Sequence, residues 1–311
     1  MQRVIILLVV FSVVVVGAAG ACDFTIRGKS QTCTITLNGV SRQYMLYIPS
    51  NLPSAPSLVL YLHGAHGGMY EGGNMGWTTK ASQMGFIVAY PQGLPNNSGI
   101  TSWNLYFNYT YTNPPDDVGF IKALIQAVEL GLSVDSHKVF VTGFSLGAFM
   151  TNRVGVELGA LVAAIAPMAG ELWMNTGGPV PKAAAPISVL LMNGGGDASV
   201  PYCGMTTPYP EASEDDTFNY WQTQNVCKQT TAALCSGGKP TTTSSKTATG
   251  CSSSVVVQQY ELIGGIHKWY TVNMNVPPGT STQPYNSKFT SSTGLTTNDI
   301  IWDFFAAHPK P

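Results

Sequence analysis

Charge is what this sequence has least of. Only 10% of its 311 residues are Asp, Glu, Lys or Arg, against roughly 25% in an average soluble protein. The 15 basic and 16 acidic residues nearly cancel, giving a formal net charge of −1. Nucleic-acid binding needs clustered basic side chains that neutralise phosphates, so this balance excludes a strongly basic nucleic-acid-binding protein. Hydrophobic residues make up 44% of the chain, which suffices for a full core and excludes disorder as its main state.

Long apolar runs are also lacking, apart from one at the N-terminus. The run Val4–Val16 is about 13 residues long, shorter than the roughly 20 that a membrane-spanning helix needs. A basic residue precedes it and the small residues Gly17–Ala21 follow it, which is the pattern of a signal peptide. We therefore predict a signal peptide over 1–21 and a secreted single domain over 22–311, with no membrane contact after cleavage. An uncleaved anchor and a lipid anchor are the alternatives.

The sequence has no Cys-x-x-Cys pair, which argues against a cysteine metal site. An even number of cysteines in an exported chain predicts disulfides, and six cysteines allow fifteen connectivities. No metal or organic cofactor is implied. Asn96 and Asn108 begin Asn-x-Ser/Thr sequons, which accept glycans if the source is a eukaryote. The six cysteines are Cys22, Cys33, Cys203, Cys227, Cys235 and Cys251.

Short apolar runs alternate with helical patterns along the chain. This alternation predicts an α/β fold, with a mostly parallel sheet covered by helices on both faces. Asn38-Gly39 predicts a hairpin turn, whereas the Ser- and Thr-rich stretch Ser236–Ser254 predicts an exposed loop. The predicted strands are Thr34–Leu37, Tyr44–Ile48, Leu58–Leu62, Ile87–Tyr90, Val139–Thr142, Ile165–Met168, Ile187–Met192 and Val255–Leu262; the predicted helices are Asp116–Leu130, Leu146–Leu158, Glu214–Asn225 and Asp299–Ala307.

The chemistry begins at Gly143-Phe144-Ser145-Leu146-Gly147, a Gly-x-Ser-x-Gly motif between a predicted strand and a predicted helix. A sharp strand-to-helix turn needs glycines so that backbones can pass closely, and it exposes the serine hydroxyl as a nucleophile. The alternative is a serine in an ordinary strand–helix turn. The context on both sides favours the nucleophile.

A serine nucleophile needs a base that is held by an acid, and in this motif's usual fold the order is Ser, then Asp or Glu, then His. His267 and His308 follow the serine, and His308 lies close to the C-terminus. We therefore predict His267, in a glycine-rich loop after a strand, as the base. Asp197 follows an apolar run and three glycines, which predicts it as the acid. Asp215 and Asp216 are the alternatives, but acids at a helix start have a structural explanation.

The developing oxyanion needs preorganised N–H donors. We predict the backbone N–H of Leu146 as one donor and that of Ala65, after the first parallel strand, as the other. His63 and His66 flank the second donor and resemble metal ligands. No third ligand stands nearby in the sequence, so we interpret both histidines as structural.

Seven short motifs follow one another along the chain: Leu62-His63-Gly64, Tyr90-Pro91-Gln92-Gly93, Trp103-Asn104, Asp116-Asp117-Val118-Gly119, Gly143-Phe144-Ser145, Val200-Pro201-Tyr202 and Gly265-Ile266-His267-Lys268-Trp269. Together they resemble the polyhydroxybutyrate depolymerase and feruloyl esterase group, which overlaps carbohydrate esterase family 1. The resemblance implies an α/β-hydrolase fold and a secreted serine esterase whose triad is Ser145, Asp197 and His267. It also suggests a Cys227–Cys251 disulfide. Proximity then pairs Cys22 with Cys33 and leaves Cys203 with Cys235.

The resemblance implies feruloyl or acetyl esters of plant cell-wall polysaccharide as substrates. Trp103, Tyr202 and Trp269 are candidates for stacking on an aromatic acyl group or a sugar, with core packing as the alternative. The group often has other residues where Asn193 and Ile266 stand, which bears on substrate choice. A polyester depolymerase, a protease and a non-catalytic secreted polysaccharide-binding protein are the rival functions. Nothing in the sequence indicates an oligomeric state.

Overall fold

A computed structural model gives the architecture of most of the chain. It describes residues 22–105, 111–172, 181–205, 212–228, 235–236, 239–240, 245–262, 264–270 and 296–311. The predicted signal peptide and the sequon at Asn108 lie outside these ranges. Among the described residues, no helix combines the length and apolar character needed to cross a bilayer.

Nine strands form one sheet in the order β1-β2-β4-β3-β7-β8-β9-β13-β12. The six strands from β4 to β13 in this order are mutually parallel, whereas β1, β2 and β12 pair antiparallel at the two edges. The predicted mostly parallel α/β sheet is confirmed. In chain order the strands are β1 (Ser30–Leu37), β2 (Val40–Tyr47), β3 (Leu58–Leu62), β4 (Ile87–Pro91), β5 (Leu94–Pro95), β6 (Thr101–Ser102), β7 (Val139–Phe144), β8 (Ala164–Met168), β9 (Ser188–Gly194), β10 (Cys235–Ser236), β11 (Lys239–Pro240), β12 (Ser245–Ala248) and β13 (Val257–Leu262).

Helices cover both faces of the sheet, which is why its central strands are apolar along their whole length. Every residue of β3, β4, β8 and β9 is buried. Val141 on β7 packs with the helices of one face, while its neighbour Phe140 packs with those of the other. The first face carries α3 (Asp117–Leu132), α4 (Leu146–Leu158) and α5 (Glu214–Gln224); the second carries α2 (Trp77–Met84) and α6 (Thr297–Ala307), and the short α1 (Glu71–Asn74) precedes α2.

The local signals with the clearest chemistry match the structure closely. Asn38 and Gly39 have φ values of 50° and 80° and join β1 to β2, as a two-residue hairpin turn requires. Asp116 caps α3 by accepting a hydrogen bond from the N–H of Gly119 at 2.8 Å. The two short helices α1 and α2 were not predicted.

The exposed loop predicted over Ser236–Ser254 is wrong in its central part. Ser245–Ala248 is strand β12, which pairs antiparallel with β13, and both Lys246 and Ala248 on it are buried. The Lys246 ammonium forms an ion pair with Asp215 and lies 4.3 Å from the centre of the Phe218 ring. The buried charge of Lys246 is tolerated because a carboxylate from another element compensates it. The strand can therefore have the polar composition that is typical of a loop, and composition alone did not predict it.

Three disulfides join Cys22 to Cys33, Cys203 to Cys235 and Cys227 to Cys251. These are the three pairs expected from the sequence, and none of the six thiols is free. The first ties the N-terminal segment to β1. The other two close loops around α5 and the region leading to β12.

Candidate active site

Ser145 occupies the sharp turn between the central strand β7 and helix α4. Its φ and ψ are 55° and −125°, a strained conformation for a residue with a side chain, of the kind that concentrates at functional sites. Glycines on both sides make the turn possible. A Cβ added to Gly143 would lie 2.5 Å from the carbonyl oxygen of Gly147, and one added to Gly147 would overlap the carbonyl oxygen of Leu62.

Asp197 and His267 form a hydrogen-bonded pair on the loops that follow β9 and β13. The Asp197 Oδ2 lies 2.7 Å from the His267 Nδ1. The other carboxylate oxygen accepts hydrogen bonds from the N–H groups of Ser199 and Val200 at 2.8 and 2.9 Å. The Asp197 side chain is fully buried, whereas that of His267 is 22% exposed. A carboxylate at Nδ1 fixes the tautomer whose Nε2 accepts a proton.

Backbone contacts hold these two loops together and place the histidine beside the nucleophile turn. The N–H of Gly196 donates to the carbonyl of Gly265 at 2.9 Å. The ring of Phe144, the residue immediately before Ser145, has its centre 4.7 Å from that of the His267 ring. The three residues predicted as nucleophile, base and acid thus lie at one edge of the sheet, at the carboxyl ends of its parallel strands.

The loop after β3 lies against the nucleophile turn on its other side. A Cβ added to Gly64 would be 3.4 Å from the Ser145 Cβ. No backbone hydrogen bond among the described residues uses the N–H of Ala65 or of Leu146. The role of these two N–H groups as oxyanion donors stays a prediction.

His63 supports this loop and lies in the interior. The N–H of Gly93 donates to its Nε2 at 2.9 Å, so its Nδ1–H donates to the carbonyl of Gly64 at 2.7 Å. Burial lowers the pKa of His63 to about 4, which keeps the ring neutral. His66 is exposed, and the described residues contain no group of three His, Cys, Asp or Glu side chains that could hold a metal ion.

The three aromatic residues expected to stack on substrate are buried. Trp103, Tyr202 and Trp269 are only 1%, 1% and 3% exposed. Trp103 donates from Nε1 to the carbonyl of His63 at 2.8 Å, and Trp269 donates to Asn298 Oδ1 at 2.9 Å. The Tyr202 hydroxyl accepts from Gln259 at 2.7 Å. Their rings and polar atoms face inward, which contradicts direct stacking and favours the alternative of core packing.

The alternative acids and the second histidine have other partners. Asp215 pairs with Lys246 and accepts the N–H of Cys235 at 2.7 Å. Asp216 completes a capping box at the start of α5. His308 ends α6, with its Nδ1 2.7 Å from the carbonyl oxygen of Phe304.

Two acids and one amide support the loops of the site, and the sequence analysis did not predict this role for any of them. The Glu71 carboxylate accepts from the Tyr61 hydroxyl at 3.1 Å and lies 3.5 Å from the N–H of Gly64, and burial raises its pKa. Asn193 and Glu171 are fully buried and hydrogen-bonded to each other at 2.8 Å. These residues stand in no periodic pattern. The signals for Asn193 were its position directly before the Gly194–Gly196 run and its difference from the residue that the resembled group often has there.

A mostly parallel sheet with helices on both faces and a nucleophile turn after the central strand is the α/β-hydrolase fold. The solved structure of an acetyl xylan esterase from Aspergillus awamori shares this fold. It superposes with a TM-score of 0.51 at 20% sequence identity, covering 77% of this chain and 94% of that one. No family model matches the chain.

Among characterised proteins, the chain is similar to a bifunctional acetylxylan esterase/xylanase of Neocallimastix patriciarum, with 28% identity over 61% of this chain and 24% of that protein. It is similar to a poly(3-hydroxyalkanoate) depolymerase C of Paucimonas lemoignei, with 28% identity over 47% of this chain and 35% of that protein. It is also similar to feruloyl esterase B of Piromyces equi, with 29% identity over 60% of this chain and 36% of that protein. The matches therefore span only 24% to 36% of the length of these three relatives. These similarities are consistent with the esterase group that the sequence motifs resemble.

Proposed function

We propose that this protein is a secreted serine carboxylesterase with Ser145 as nucleophile, His267 as base and Asp197 as the acid that orients the base. The observation that carries the proposal is the Asp197–His267 hydrogen bond of 2.7 Å beside a strained nucleophile turn. Serine is a poor nucleophile until a base accepts its proton. An aspartate at Nδ1 supplies the tautomer and stabilises the imidazolium that forms.

The reaction proceeds in two transfers. His267 Nε2 takes the Ser145 proton as the hydroxyl oxygen attacks the ester carbonyl, and the N–H groups of Leu146 and Ala65 hold the oxyanion. The imidazolium then gives this proton to the leaving alcohol, which leaves an acyl-serine. Water attacks the acyl carbon with His267 again as base, and the acid product departs. Every proton is supplied by substrate, water or this chain, so the scheme assigns no step to a cofactor.

The substrates that we propose are feruloyl or acetyl esters of plant cell-wall polysaccharide. Support comes from the acetylxylan and feruloyl esterases among the relatives. The depolymerase relative favours a second candidate, an aliphatic polyester cleaved by the same three residues. A purely polysaccharide-binding protein would have no need of an intact acid–base pair beside a strained serine.

Secretion and a single catalytic domain over 22–311 belong to the same proposal. The three disulfides suit an oxidising compartment, and the N-terminal apolar run suits export. Asn96 is half-buried directly before the exposed turn at Asn97 and Ser98, and its Oδ1 accepts hydrogen bonds from the N–H groups of Ser98 and Ile100 at 2.9 and 3.1 Å; a glycan on its Nδ2 in a eukaryotic host remains part of the proposal.

An ester panel with a matched inactive variant tests the proposal. Methyl ferulate, acetylated xylan and amorphous polyhydroxybutyrate are offered to the wild type and to Ser145→Ala. We expect turnover of a plant ester by the wild type and a loss on the order of a million-fold in the variant. A serine-directed phosphonate probe labels the wild type alone. Label on folded Ser145→Ala, or none on folded wild type, contradicts the triad; turnover of the polyester alone selects the second candidate.

A further inference from the structure

Asn193 stands at the end of β9, four residues before Asp197, and its side chain is fully buried. All its polar atoms are used. Its Oδ1 accepts from the N–H of Gly194 at 2.7 Å, and its Nδ2 donates to the carbonyl of Val200 at 3.0 Å and to Glu171 Oε1 at 2.8 Å. Gly194 and Val200 are the two ends of the turn that carries Asp197. One amide therefore clamps this turn at both ends.

Val200 links the Asn193 amide to the Asp197 carboxylate. The carbonyl of Val200 accepts from Asn193 at 3.0 Å, while its N–H donates to Asp197 Oδ1 at 2.9 Å. The remaining carboxylate oxygen of Asp197 is the one at 2.7 Å from His267. One oxygen of the Asp197 carboxylate is bound by Val200 and the other by His267. A displacement of Val200 would therefore rotate the carboxylate relative to the imidazole.

Glu171 connects the same amide to the side of the site that carries the nucleophile. It follows Gly170, whose added Cβ would lie 2.7 Å from the Ser145 carbonyl oxygen. The next residue, Leu172, is fixed by an N–H donated to the Thr217 hydroxyl at 2.9 Å. An amide suits this position because it both donates and accepts. A carboxylate has no proton to donate to the Glu171 oxygen or to the Val200 carbonyl.

We propose that Asn193 is a positioning residue that acts through Val200 to hold the Asp197 carboxylate toward His267, with Glu171 as its anchor on the nucleophile side. The inference rests on the proposed function, since it assigns Asp197 a catalytic partner to face. It predicts that Asn193 affects the chemical step and leaves substrate binding unchanged.

The first test is Asn193→Asp, which keeps the size of the side chain and removes both donated hydrogen bonds. We expect kcat to fall about 10²-fold, the cost of an ångström-scale misplacement of a catalytic group, with KM unchanged. Asn193→Ala, which introduces no charge, is expected to lower kcat in the same direction and serves if the first variant does not fold. Glu171→Gln alone is expected to stay within a few-fold of the wild type, because an amide oxygen can still accept.

A double variant separates the two hydrogen bonds that Asn193 donates. In Asn193→Asp/Glu171→Gln the new amide at position 171 can donate to the new carboxylate, which restores the contact between these two positions. The Val200 carbonyl still receives no hydrogen bond from position 193, so we expect kcat to stay within a few-fold of that of Asn193→Asp. A return to the wild-type kcat in the double variant, or a wild-type kcat in Asn193→Asp, overturns the proposal.

Asn225, the residue that follows α5, provides the matched control because its side chain binds Ile187, directly before the start of β9. It too is fully buried, accepts from the N–H of Ile187 at 3.0 Å and donates to the Ile187 carbonyl at 2.8 Å. We expect Asn225→Asp to lower the unfolding midpoint while kcat per phosphonate-titrated site stays unchanged. An equal loss of kcat in Asn225→Asp would reduce Asn193 to a general structural residue. A wild type without ester turnover overturns the proposed function as well, whereas an active wild type with unaffected variants overturns only this inference.

Discussion

The two flanks of the site are held in place by different forces. The nucleophile flank, formed by β3, β7 and α4, depends on backbones that approach too closely for any side chain, as at Gly143 and Gly147. The acid–base flank, formed by the loops after β9 and β13, depends on hydrogen bonds, among them those of Asp197 and Asn193. Steric fit either accommodates a side chain or excludes it, whereas a hydrogen-bond network can lose one member and retain the others. Substitutions on the first flank should therefore act abruptly, and those on the second by degrees.

Apart from removal of the Ser145 nucleophile, the largest loss of activity is expected for Asp197→Asn, which tests whether the acid–base flank can lose its chemistry and keep its structure. Asp197→Asn retains an oxygen for the N–H groups of Ser199 and Val200 but favours the wrong tautomer of His267. We expect kcat to fall about 10⁴-fold with little change in the unfolding midpoint. Steady-state kinetics and thermal unfolding of the same preparation measure both. A loss below tenfold in a folded variant would remove Asp197 from the triad.

Gly147→Ala tests the opposite expectation for the nucleophile flank. The added Cβ would overlap the carbonyl oxygen of Leu62, so β3 or α4 must move. We expect kcat to fall by at least about 10²-fold and the free energy of unfolding by about 1–3 kcal/mol. Asp197→Asn, in contrast, should lose activity without losing stability. Gly73→Ala is the control, because its added Cβ meets nothing closer than 3.9 Å. A fully active and stable Gly147→Ala would refute the steric account of this flank.

The same contrast explains how far the sequence could predict the site. Steric requirements at the nucleophile turn are confined to five consecutive residues, Gly143–Gly147, and the strand and helix around them carry strong apolar patterns. The expected chain order of serine, acid and histidine then left few candidates for the acid and the base, among them Asp197 and His267. Hydrogen-bond partners such as Asn193 and Glu171 are 22 residues apart and belong to no pattern, so only the folded chain brings them together.

Two errors have a common physical origin. The aromatic candidates were chosen for their nearness to the motifs, but large rings near a site serve its core as readily as its surface, and Trp103 supports the His63 loop. Lys246 was assigned to an exposed loop because the stretch around it is rich in polar residues, yet Asp215 compensates its charge in the interior. In both cases the deciding factor is a partner from another element, which composition does not reveal.

The buried imidazole of His63, on the nucleophile flank, should make the free energy of unfolding depend on pH. Burial lowers its pKa from 6.5 to about 4, so between these values the unfolded chain binds more protons than the folded one. Stability from this group is present above pH 6.5 and is lost as the pH falls toward 4, by up to about 3 kcal/mol. Unfolding in denaturant at several pH values measures it, with His63→Gln as the comparison.

The comparison with the variant matters because other groups act in the opposite direction. Burial raises the pKa of Glu214 to about 8 and that of Glu261 to about 7, so these carboxyls add stability as the pH falls. His63→Gln keeps a donor and an acceptor without titrating, and the difference between the two pH profiles isolates the histidine. Parallel profiles between pH 6.5 and 4 would contradict a neutral, buried His63.

The smallest effect concerns substrate choice and the surface of the acid–base flank. Trp103, Tyr202 and Trp269 are buried, whereas Ile266, the residue before His267, is a large apolar side chain that is 50% exposed. We expect the ring of a feruloyl group bound at Ser145 to cover this side chain and the smaller acetyl group to leave it exposed. Covering about 40 Å² of apolar surface is worth about 1 kcal/mol. We therefore expect Ile266→Ala to lower kcat/KM for methyl ferulate about fivefold and to leave kcat/KM for an acetyl ester unchanged. Ile26, 36% exposed in the N-terminal segment, supplies the control Ile26→Ala, for which neither value should change. If the two esters respond equally to Ile266→Ala, Ile266 does not contact the acyl group, and the distinction between feruloyl and acetyl substrates must lie on the nucleophile flank.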